Sequence, residues 1–373
     1  MNTTVRRVQL PDGCRILMIS DLHGHAAGLR ALLRQADFGG TDVLIIVGDL
    51  IEKGPESLAT LRLVMALCRA HTVYPLMGNV DLWRLERLMS DDAAAQQALL
   101  RYSLKARKAW GGSLLEEMCR ELGLTMDEGM NTQKVFPQLW GRFAAELAFL
   151  AGLPAVLDTQ RMVFVHGGLP HDRLDELAGQ DCYPLLKRRA FLREGRSFRK
   201  WVAVGHWPCA LYSRGHPCAD PVIDRERHIL CLDGGCGVKM DGQLNLVMLP
   251  DWRSEAFTLL RWNGLEKITA LDAQAEGGGD VYIQWGDQRV TLLARDGDMA
   301  RVAHHGRILD VPARLLYEED GATCCDDITD YRPAVAPGEE LSLLFTMPQG
   351  CYVKRNGDTG WYMGRFRQGS TGT

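Results

Sequence analysis

Two short apolar runs with a helix-like segment between them constrain the fold most strongly. The runs are RILMIS at 15–20 and VLIIV at 43–47, and each ends at a polar cluster, as strands buried on both faces do. Between them, Leu29, Leu32 and Leu33 recur at helical spacing. The sequence therefore predicts a strand, a helix and a second strand that pairs in parallel with the first.

The same pattern continues along the chain. It gives a helix at 58–70, a strand at 72–77, and two strand-then-polar segments, MVFVHGG at 162–168 and VAVGH at 202–206. HILCLDGGC at 228–236 and QLNLVML at 243–249 flank an Asp241-Gly242 turn, so we expect them to form an antiparallel pair.

The length of 373 residues predicts more than one domain, because single cores rarely exceed roughly 250–300 residues. We expect an α/β domain at 1–250 with a helical insertion at about 82–150, a small β-barrel at 251–318 and a second at 319–373. The segment from Val290 aligns without gaps on that from Leu341, matching Val302 with Val353. Tandem barrels would explain this repeat; the alternative is chance similarity of two hairpins with simple turn signals.

Composition excludes some partners. With 46% apolar residues, 24% charged residues and a net charge of −4, neither a nucleic acid nor an anionic membrane is predicted as a partner. The first residues show no continuous apolar segment of a secretory signal, and the eleven cysteines include no CxxC pair. We therefore expect a cytoplasmic protein with reduced thiols.

Candidate metal ligands follow the ends of five predicted strands, and they are Asp21, His23, Asp49, Asn79, His166 and His206. Each alone has an ordinary explanation as a helix cap or a turn residue. Six donors at one edge of one sheet instead predict a two-metal site, with flanking glycines that let the backbone approach the ions. Mixed oxygen and imidazole donors suit manganese, our expected metal, or iron or zinc, better than magnesium or calcium.

These motifs carry a family resemblance. Five motifs in order across about 15–250 resemble those of the calcineurin-like metallophosphoesterases. They are DLHGH, GDLIEKGPES, GN, HGGL and GH. The similarity is greatest to the branch of serine/threonine phosphoprotein phosphatases and diadenosine tetraphosphate hydrolases. It implies an α/β fold, with a β-sandwich flanked by helices and a helical insertion, followed here by the small all-β barrels.

The resemblance also implies roles for individual residues. Asp21, His23 and Asp49 would hold the first metal, and Asp49 would bridge to a second one bound by the other three ligands. A metal-bridging hydroxide would then attack phosphorus. Lys53 stands where the family has an arginine that clamps phosphate, and Arg188 resembles a second such arginine or lies on a solvated helix face.

One family residue is replaced. The usual GNH motif carries a histidine that protonates the leaving oxygen, and this chain has Val80 there, with the following acid kept as Asp81. General acid catalysis contributes about 10² to 10⁴ in rate, so its loss need not abolish hydrolysis. His25 is a candidate substitute acid; the alternative is a histidine held by a local hydrogen bond.

The C-terminal YVKRNGDTGWYMGRF resembles the closing hairpin of bacterial SH3-like domains. Tyr352, Trp361 and Tyr362 would form either a peptide-binding surface for a protein partner or the barrel core.

Three functions remain open from the sequence. The first is hydrolysis of a phosphomonoester such as phosphoserine or phosphothreonine in a protein. The second is hydrolysis of a dinucleoside polyphosphate. The third, of another class, is a non-catalytic metal-binding interaction protein that lost activity with the histidine.

Overall fold

A computed structural model describes residues 1–369. The chain divides into two compact units, of which the first comprises Met1–Pro208, Pro221–Val238 and Gln243–Trp262. The second comprises Cys209–Asp220, Lys239–Gly242 and the chain from Asn263 onward. Within the described residues, no helix has the length and apolar character needed to cross a bilayer. The domain divisions at 250 and 318 stay predictions.

The first unit contains two β-sheets. Its strands are β1 (Val5–Arg7), β2 (Ile16–Ile19), β3 (Val43–Ile46), β4 (Thr72–Pro75), β5 (Val156–Asp158), β6 (Met162–Val165), β7 (Trp201–Val204), β8 (Val222–Asp224), β9 (Ile229–Cys231), β10 (Leu244–Leu249) and β11 (Thr258–Trp262). The strand orders are β1-β5-β6-β7-β9-β8 and β11-β10-β2-β3-β4.

The predicted strand–helix–strand unit is confirmed. β2 pairs in parallel with β3, placing Ile16 opposite Val43, and β3 pairs in parallel with β4. Every residue of β2 and β3 is buried, which explains their uninterrupted apolar sequence. The connecting helix buries the predicted leucine face, including Leu29 and Leu32.

One core joins both sheets, as the predicted β-sandwich requires. Its buried residues include Ile16, Met18, Val43, Ile45 and Val247 from one sheet and Leu157, Phe164, Trp201, Ala203 and Leu230 from the other. Strand ends from both sheets, rather than from one sheet alone, therefore carry the polar residues discussed below.

Helices supply the rest of the first unit. They are α1 (Ala26–Gln35), α2 (Ser57–Ala70), α3 (Asn79–Leu88), α4 (Ala93–Trp110), α5 (Leu114–Glu121), α6 (Thr132–Arg142), α7 (Ala144–Ala151), α8 (Leu174–Leu177) and α9 (Tyr183–Leu186). α3 to α7 follow one another without an intervening strand, as the composition of 82–150 predicts.

The predicted antiparallel pairing of 228–236 with 243–249 is wrong. β9 pairs with β7 and β8, whereas β10 pairs with β2 and β11 in the other sheet. Both strands are almost entirely buried. Because such strands fit any central position of a sandwich, their proximity in the chain does not fix their partners.

The second unit consists of small antiparallel sheets. Its strands are β12 (Glu266–Ala270), β13 (Tyr282–Ile283), β14 (Thr291–Asp296), β15 (Met299–His304), β16 (Arg307–Pro312), β17 (Leu316–Glu319), β18 (Ala322–Cys325), β19 (Ile328–Thr329), β20 (Glu340–Met347), β21 (Gly350–Arg355), β22 (Asp358–Tyr362) and β23 (Phe366–Gln368). Their sheet orders are β22-β21-β20-β12-β23, β14-β15-β16, β13-β19 and β17-β18.

The two copies of the repeat fold alike. β14–β15–β16 and β20–β21–β22 are antiparallel meanders, and each has a register shift next to the aligned residues Leu293 and Leu344. Their last turns place His305 and Asn356 at φ 46° and 52°. This shared geometry supports the repeat, while the SH3-like assignment stays a prediction.

The C-terminal aromatic residues belong to the core. Tyr352, Trp361 and Tyr362 are 1%, 7% and 0% exposed. Nε1 of Trp361 donates to the Thr329 carbonyl oxygen at 2.9 Å, and the Tyr352 ring stacks on Phe345. Of the two alternatives for these aromatic residues, the core is therefore correct and an exposed peptide-binding surface is wrong.

Candidate metal centre

The strand ends of both sheets bring the six predicted ligands together. Asp21 and His23 follow β2, Asp49 follows β3, and Asn79 begins α3 after β4. From the other sheet, His166 follows β6 and His206 follows β7. The expectation that all six lie at the edge of one sheet is wrong, because the sandwich places the ends of two sheets side by side.

Asp49 lies at the centre of this group. Its Oδ2 is 3.6 Å from Nε2 of His23 and 3.4 Å from Nε2 of His166. Nε2 of His23 is also 3.9 Å from Oδ1 of Asp21. On the other side, Nε2 of His166 is 3.1 Å from Oδ1 of Asn79.

His206 joins the group through its ring. The His166 and His206 ring centroids are 5.4 Å apart. The His206 main chain is also tied to the group, since its N–H donates to Oδ2 of Asp21 at 3.1 Å.

The donor set fits a metal ion in its detailed geometry. Nδ1 of His166 lies 2.8 Å from the Val47 carbonyl oxygen, and Nδ1 of His23 lies 3.3 Å from that of Ile51. A carbonyl oxygen only accepts, so Nδ1 carries a proton in each bond, and Nε2 is the ring nitrogen directed at Asp49, where a cation can replace any proton that Nε2 carries. Such outer hydrogen bonds orient metal-binding histidines.

Burial and neighbouring charges shift the pKa values of these groups strongly. Burial and the Asp233 carboxylate raise the pKa of Asp21. Burial alone would lower the pKa of His166, but Asp49 and Asp21 raise it to about 10. Burial and His166 lower the pKa of His206 to about 3. The buried carboxylates thus create a strong demand for positive charge, which a divalent cation satisfies.

Glycines make room for ligands from neighbouring strands. A Cβ on Gly78 would lie 2.1 Å from Oδ1 of Asp49, and a Cβ on Gly205 would lie 2.3 Å from Oδ2 of Asp21. Either distance is far below van der Waals contact. The GN and GH motifs therefore require glycine because the Asp49 and Asp21 side chains approach the backbone there.

A family comparison agrees with this geometry. The family model for calcineurin-like phosphoesterases matches residues 14–238, more than half of the chain. The chain belongs to the calcineurin-like phosphoesterase family. The motif resemblance and the prediction of a metal-dependent phosphoesterase are thereby confirmed.

Several named proteins are similar to this phosphoesterase. The symmetrical bis(5'-nucleosyl)-tetraphosphatase of Pectobacterium carotovorum is 26% identical over 304 residues, covering 71% of this chain and 99% of that protein. The protein of the same name from Salmonella paratyphi B is 32% identical over 171 residues, covering 43% and 58%. A solved metallophosphoesterase from Sphaerobacter thermophilus is 17% identical with a TM-score of 0.36, covering 68% and 89%.

The phosphoesterase site contains a carboxylate that sequence reasoning missed. Asp233 lies two residues after β9 and is 2% exposed, and its Oδ1 accepts a hydrogen bond from the Gly235 N–H at 2.7 Å. Burial raises the pKa of Asp233 to about 6. Its position after a buried strand is a signal in the sequence, but only the pairing of β9 with β7 brings Asp233 to this site.

Val80 and Asp81 bind the loop that carries Asp49, Val80 through its N–H and Asp81 through its carboxylate. The Val80 N–H donates to Oδ1 of Asp49 at 2.8 Å. Oδ1 of Asp81 accepts from the Leu50 N–H at 2.9 Å, and its Oδ2 accepts from the Gly78 N–H at 3.0 Å. The Asp81 side chain thus joins the loops that carry Asp49 and Asn79, and its predicted catalytic role stays a prediction.

His25 packs beside the site rather than among the six side chains. Its Nδ1 lies 3.1 Å from the Leu22 carbonyl oxygen, and its ring makes an edge contact with Trp262 at 5.9 Å. Its Cε1 would be 2.7 Å from a Cβ on Gly54. These contacts fit the alternative of a histidine held by a local hydrogen bond, and its role as a substitute acid stays a prediction.

The two predicted phosphate-binding cations lie in different surroundings. Nζ of Lys53 is 3.4 Å from Nε2 of His23, so its charge faces the ligand group. Arg188 instead makes two hydrogen bonds to the Glu194 carboxylate, at 2.5 and 2.8 Å. The geometry therefore favours Lys53 over Arg188 as a phosphate ligand.

The buried Arg84 side chain supports the loop that follows β3 and carries Asp49. Glu52 is fully buried, and its Oε1 lies 3.6 Å from Nε of Arg84 and accepts from the Leu114 N–H at 3.2 Å. The Arg84 guanidinium lies over the rings of Tyr102 and Trp83, at 3.7 and 4.4 Å. α3 and α5 thereby contact the loop between Asp49 and Lys53, and Tyr102 of α4 packs on the Arg84 side chain that reaches it; sequence reasoning did not predict these contacts.

Proposed function

We propose that this phosphoesterase hydrolyses a dinucleoside polyphosphate. We also propose that two divalent cations are held by Asp21, His23, Asp49, Asn79, His166 and His206. When bound, they would activate the attacking water and offset the charge on the phosphoryl oxygens. The half-buried Lys53 amine beside His23 would add a positive charge to the same oxygens.

Val80 is the observation that carries this proposal. Its side chain is 5% exposed and cannot donate a proton, although its N–H binds Asp49. A serine or threonine ester would depart as a strongly basic alkoxide, whereas a nucleoside phosphate departs as a weakly basic anion. Because general acid catalysis contributes about 10² to 10⁴, its loss penalises the alkoxide far more.

The similar proteins support the same substrate class. The Pectobacterium carotovorum protein, of which the alignment covers 99%, is named for cleaving a bis(5'-nucleosyl) tetraphosphate symmetrically. In this chain, that reaction would release two nucleoside diphosphates.

A comparison of three substrates tests the proposal. We would measure manganese-dependent kcat/KM on diadenosine tetraphosphate, nitrophenyl phosphate and a phosphoserine peptide, using wild type, Val80→His and the matched control Val80→Gln. The wild type should act on the first two, and Val80→His should raise peptide turnover by about tenfold or more. Val80→Gln, which adds a polar side chain without an imidazole, should not. Peptide hydrolysis by the wild type at the rate for diadenosine tetraphosphate would refute the leaving-group argument.

The two other functions predict different outcomes of this assay. A phosphoprotein phosphatase, our first expectation from the sequence, would prefer the peptide. A non-catalytic protein would show no metal-dependent activity on any substrate, so that wild type and Asp49→Asn would be indistinguishable.

Manganese is the metal we propose for this site, with iron and zinc as alternatives. The support is the mixture of carboxylate, amide and imidazole donors. Reconstitution of chelated protein with each metal in turn, followed by the diadenosine tetraphosphate assay, would rank them.

A further inference from the structure

A second cluster of metal-binding side chains lies in the C-terminal unit. It consists of Asp287, His304 and His305, whose ligand atoms all lie within 4.8 Å of one another. Oδ2 of Asp287 is 2.8 Å from Nε2 of His305 and 3.6 Å from Nε2 of His304. We propose that this Asp287–His304–His305 cluster is a binding site for a divalent cation of the zinc class, separate from the phosphoesterase centre.

The tautomer of His304 favours this use. Its Nδ1 lies 3.2 Å from the Arg289 carbonyl oxygen, which can only accept. Nδ1 therefore carries the proton, and the lone pair of Nε2 is directed at Asp287. This is the backbone-carbonyl support that metal-binding histidines usually have.

The backbone around the cluster is well anchored. A tight turn fixes Asp287, whose N–H donates to the Gln284 carbonyl oxygen at 2.8 Å. The next residues are tied to β18, because the Cys325 N–H donates to the Gln288 carbonyl oxygen at 2.9 Å. His304 ends β15, and its side chain is 4% exposed.

Exposure gives an ion a path to the cluster. The side chains of Asp287 and His305 are 49% and 70% exposed, so both can adjust. A tetrahedral zinc site with bonds of about 2.0–2.1 Å places its donors about 3.3 Å apart. Because no two of the ligand atoms are more than 4.8 Å apart, shifts of up to about 1.5 Å at these exposed side chains would reach that spacing. Two imidazoles and one carboxylate leave the fourth position to water.

The repeat supplies an internal comparison. In the second copy, Arg355 and Asn356 align with His304 and His305. There Nε of Arg355 is 2.5 Å from Oε1 of Glu339, so an ion pair links strand and loop. The first copy has two imidazoles at the aligned positions and the Asp287 carboxylate one residue before the equivalent of Glu339, and a cation bound by them would supply a comparable link.

The same comparison provides the test variant. Asn356 adopts φ 52° where His305 has φ 46°, so His305→Asn keeps a residue that tolerates this turn while removing an imidazole. We would dialyse the full chain against zinc chloride and measure zinc per chain for wild type, His305→Asn and Asp287→Asn. The control is His71→Asn, which removes an exposed histidine of the first unit.

Both cluster variants should lose one zinc per chain, while His71→Asn should lose none. Asp49→Asn should retain the zinc of the Asp287–His304–His305 cluster. Unchanged zinc content in His305→Asn and Asp287→Asn, with both variants folded by circular dichroism, would overturn the proposal. The zinc count does not depend on hydrolysis, so the result stands whether or not the proposed substrate is correct.

Discussion

Gly78→Ala offers a direct test of how closely the site is packed. The new Cβ would lie 2.1 Å from both the N and the Oδ1 of Asp49, against an ordinary contact of 3.4–4 Å. The backbone before α3 must therefore shift by more than 1 Å, as judged from the same distances. Overpacking of this kind costs about 1–3 kcal/mol. Loss of the Val80 N–H bond to the buried Asp49 carboxylate adds roughly 1–3 kcal/mol.

The expected total is about 4 kcal/mol, which lowers Tm by about 8–16 °C in a unit of this size. Displacement of Asp49 by 1 Å should also reduce kcat/KM about 10²-fold. The measurements are thermal unfolding and manganese-dependent hydrolysis of nitrophenyl phosphate. Gly141→Ala is the matched control, because a Cβ there meets no atom within 4 Å in an exposed position of α6. Unfolding of Gly78→Ala at the wild-type temperature would refute the packing argument irrespective of activity.

Further predictions concern stability at low pH and phosphate binding. Burial alone would raise the pKa of Asp42, but its two hydrogen bonds with Arg15 lower it below 3.8. The ionised pair therefore stabilises the fold fully above pH 3.8, and this is lost as pH falls through the lower folded pKa. Asp42→Asn should lower the free energy of unfolding, measured with urea at pH 7, by about 1 kcal/mol; the effect is small because Arg15 is partly exposed. A stability difference between this variant and wild type that persists below the folded pKa of Asp42 would contradict this. Lys53→Met should reduce kcat/KM by about 10²-fold. Arg188→Met should change kcat/KM less than about threefold, because the Arg188 guanidinium is already paired with the Glu194 carboxylate; comparable losses in both variants would contradict the distinction.

Convergence of the ligands was predictable because it depends on local rules. A fully buried strand ends where the chain turns polar, and parallel strands bring those ends to the same side. Asp21 and Asp49 follow this rule on neighbouring strands, and His166 and His206 follow it on another neighbouring pair. What periodicity could not show is that the two pairs belong to different sheets, because all four strands are buried throughout.

Long-range partners were not predictable for the same physical reason. The pairing of β10 with β2 joins residues more than two hundred positions apart, and nothing local in LNLVML specifies it. The contacts of Asp81 with the Leu50 and Gly78 N–H groups likewise depend on two loops meeting in space. Asp233 likewise reaches the site only through the pairing of β9 with β7, which no local pattern specifies.

The arrangement at the start of α3 makes the position of Asp49 independent of which side chain residue 80 carries. The first N–H groups of a helix have no partner within the helix and attract anions. Here the Val80 N–H binds the Asp49 carboxylate, and Asp81 binds the Gly78 N–H while also holding the Asp49 loop. These contacts use the main chain of residue 80, so its side chain can change without moving Asp49. Under the proposed function, the leaving groups that the site accepts can therefore change independently of its affinity for metal. Val80→His should therefore change the ratio of peptide to dinucleotide turnover while leaving manganese affinity within about threefold of wild type. A larger change in manganese affinity would show that leaving-group preference and metal affinity are coupled.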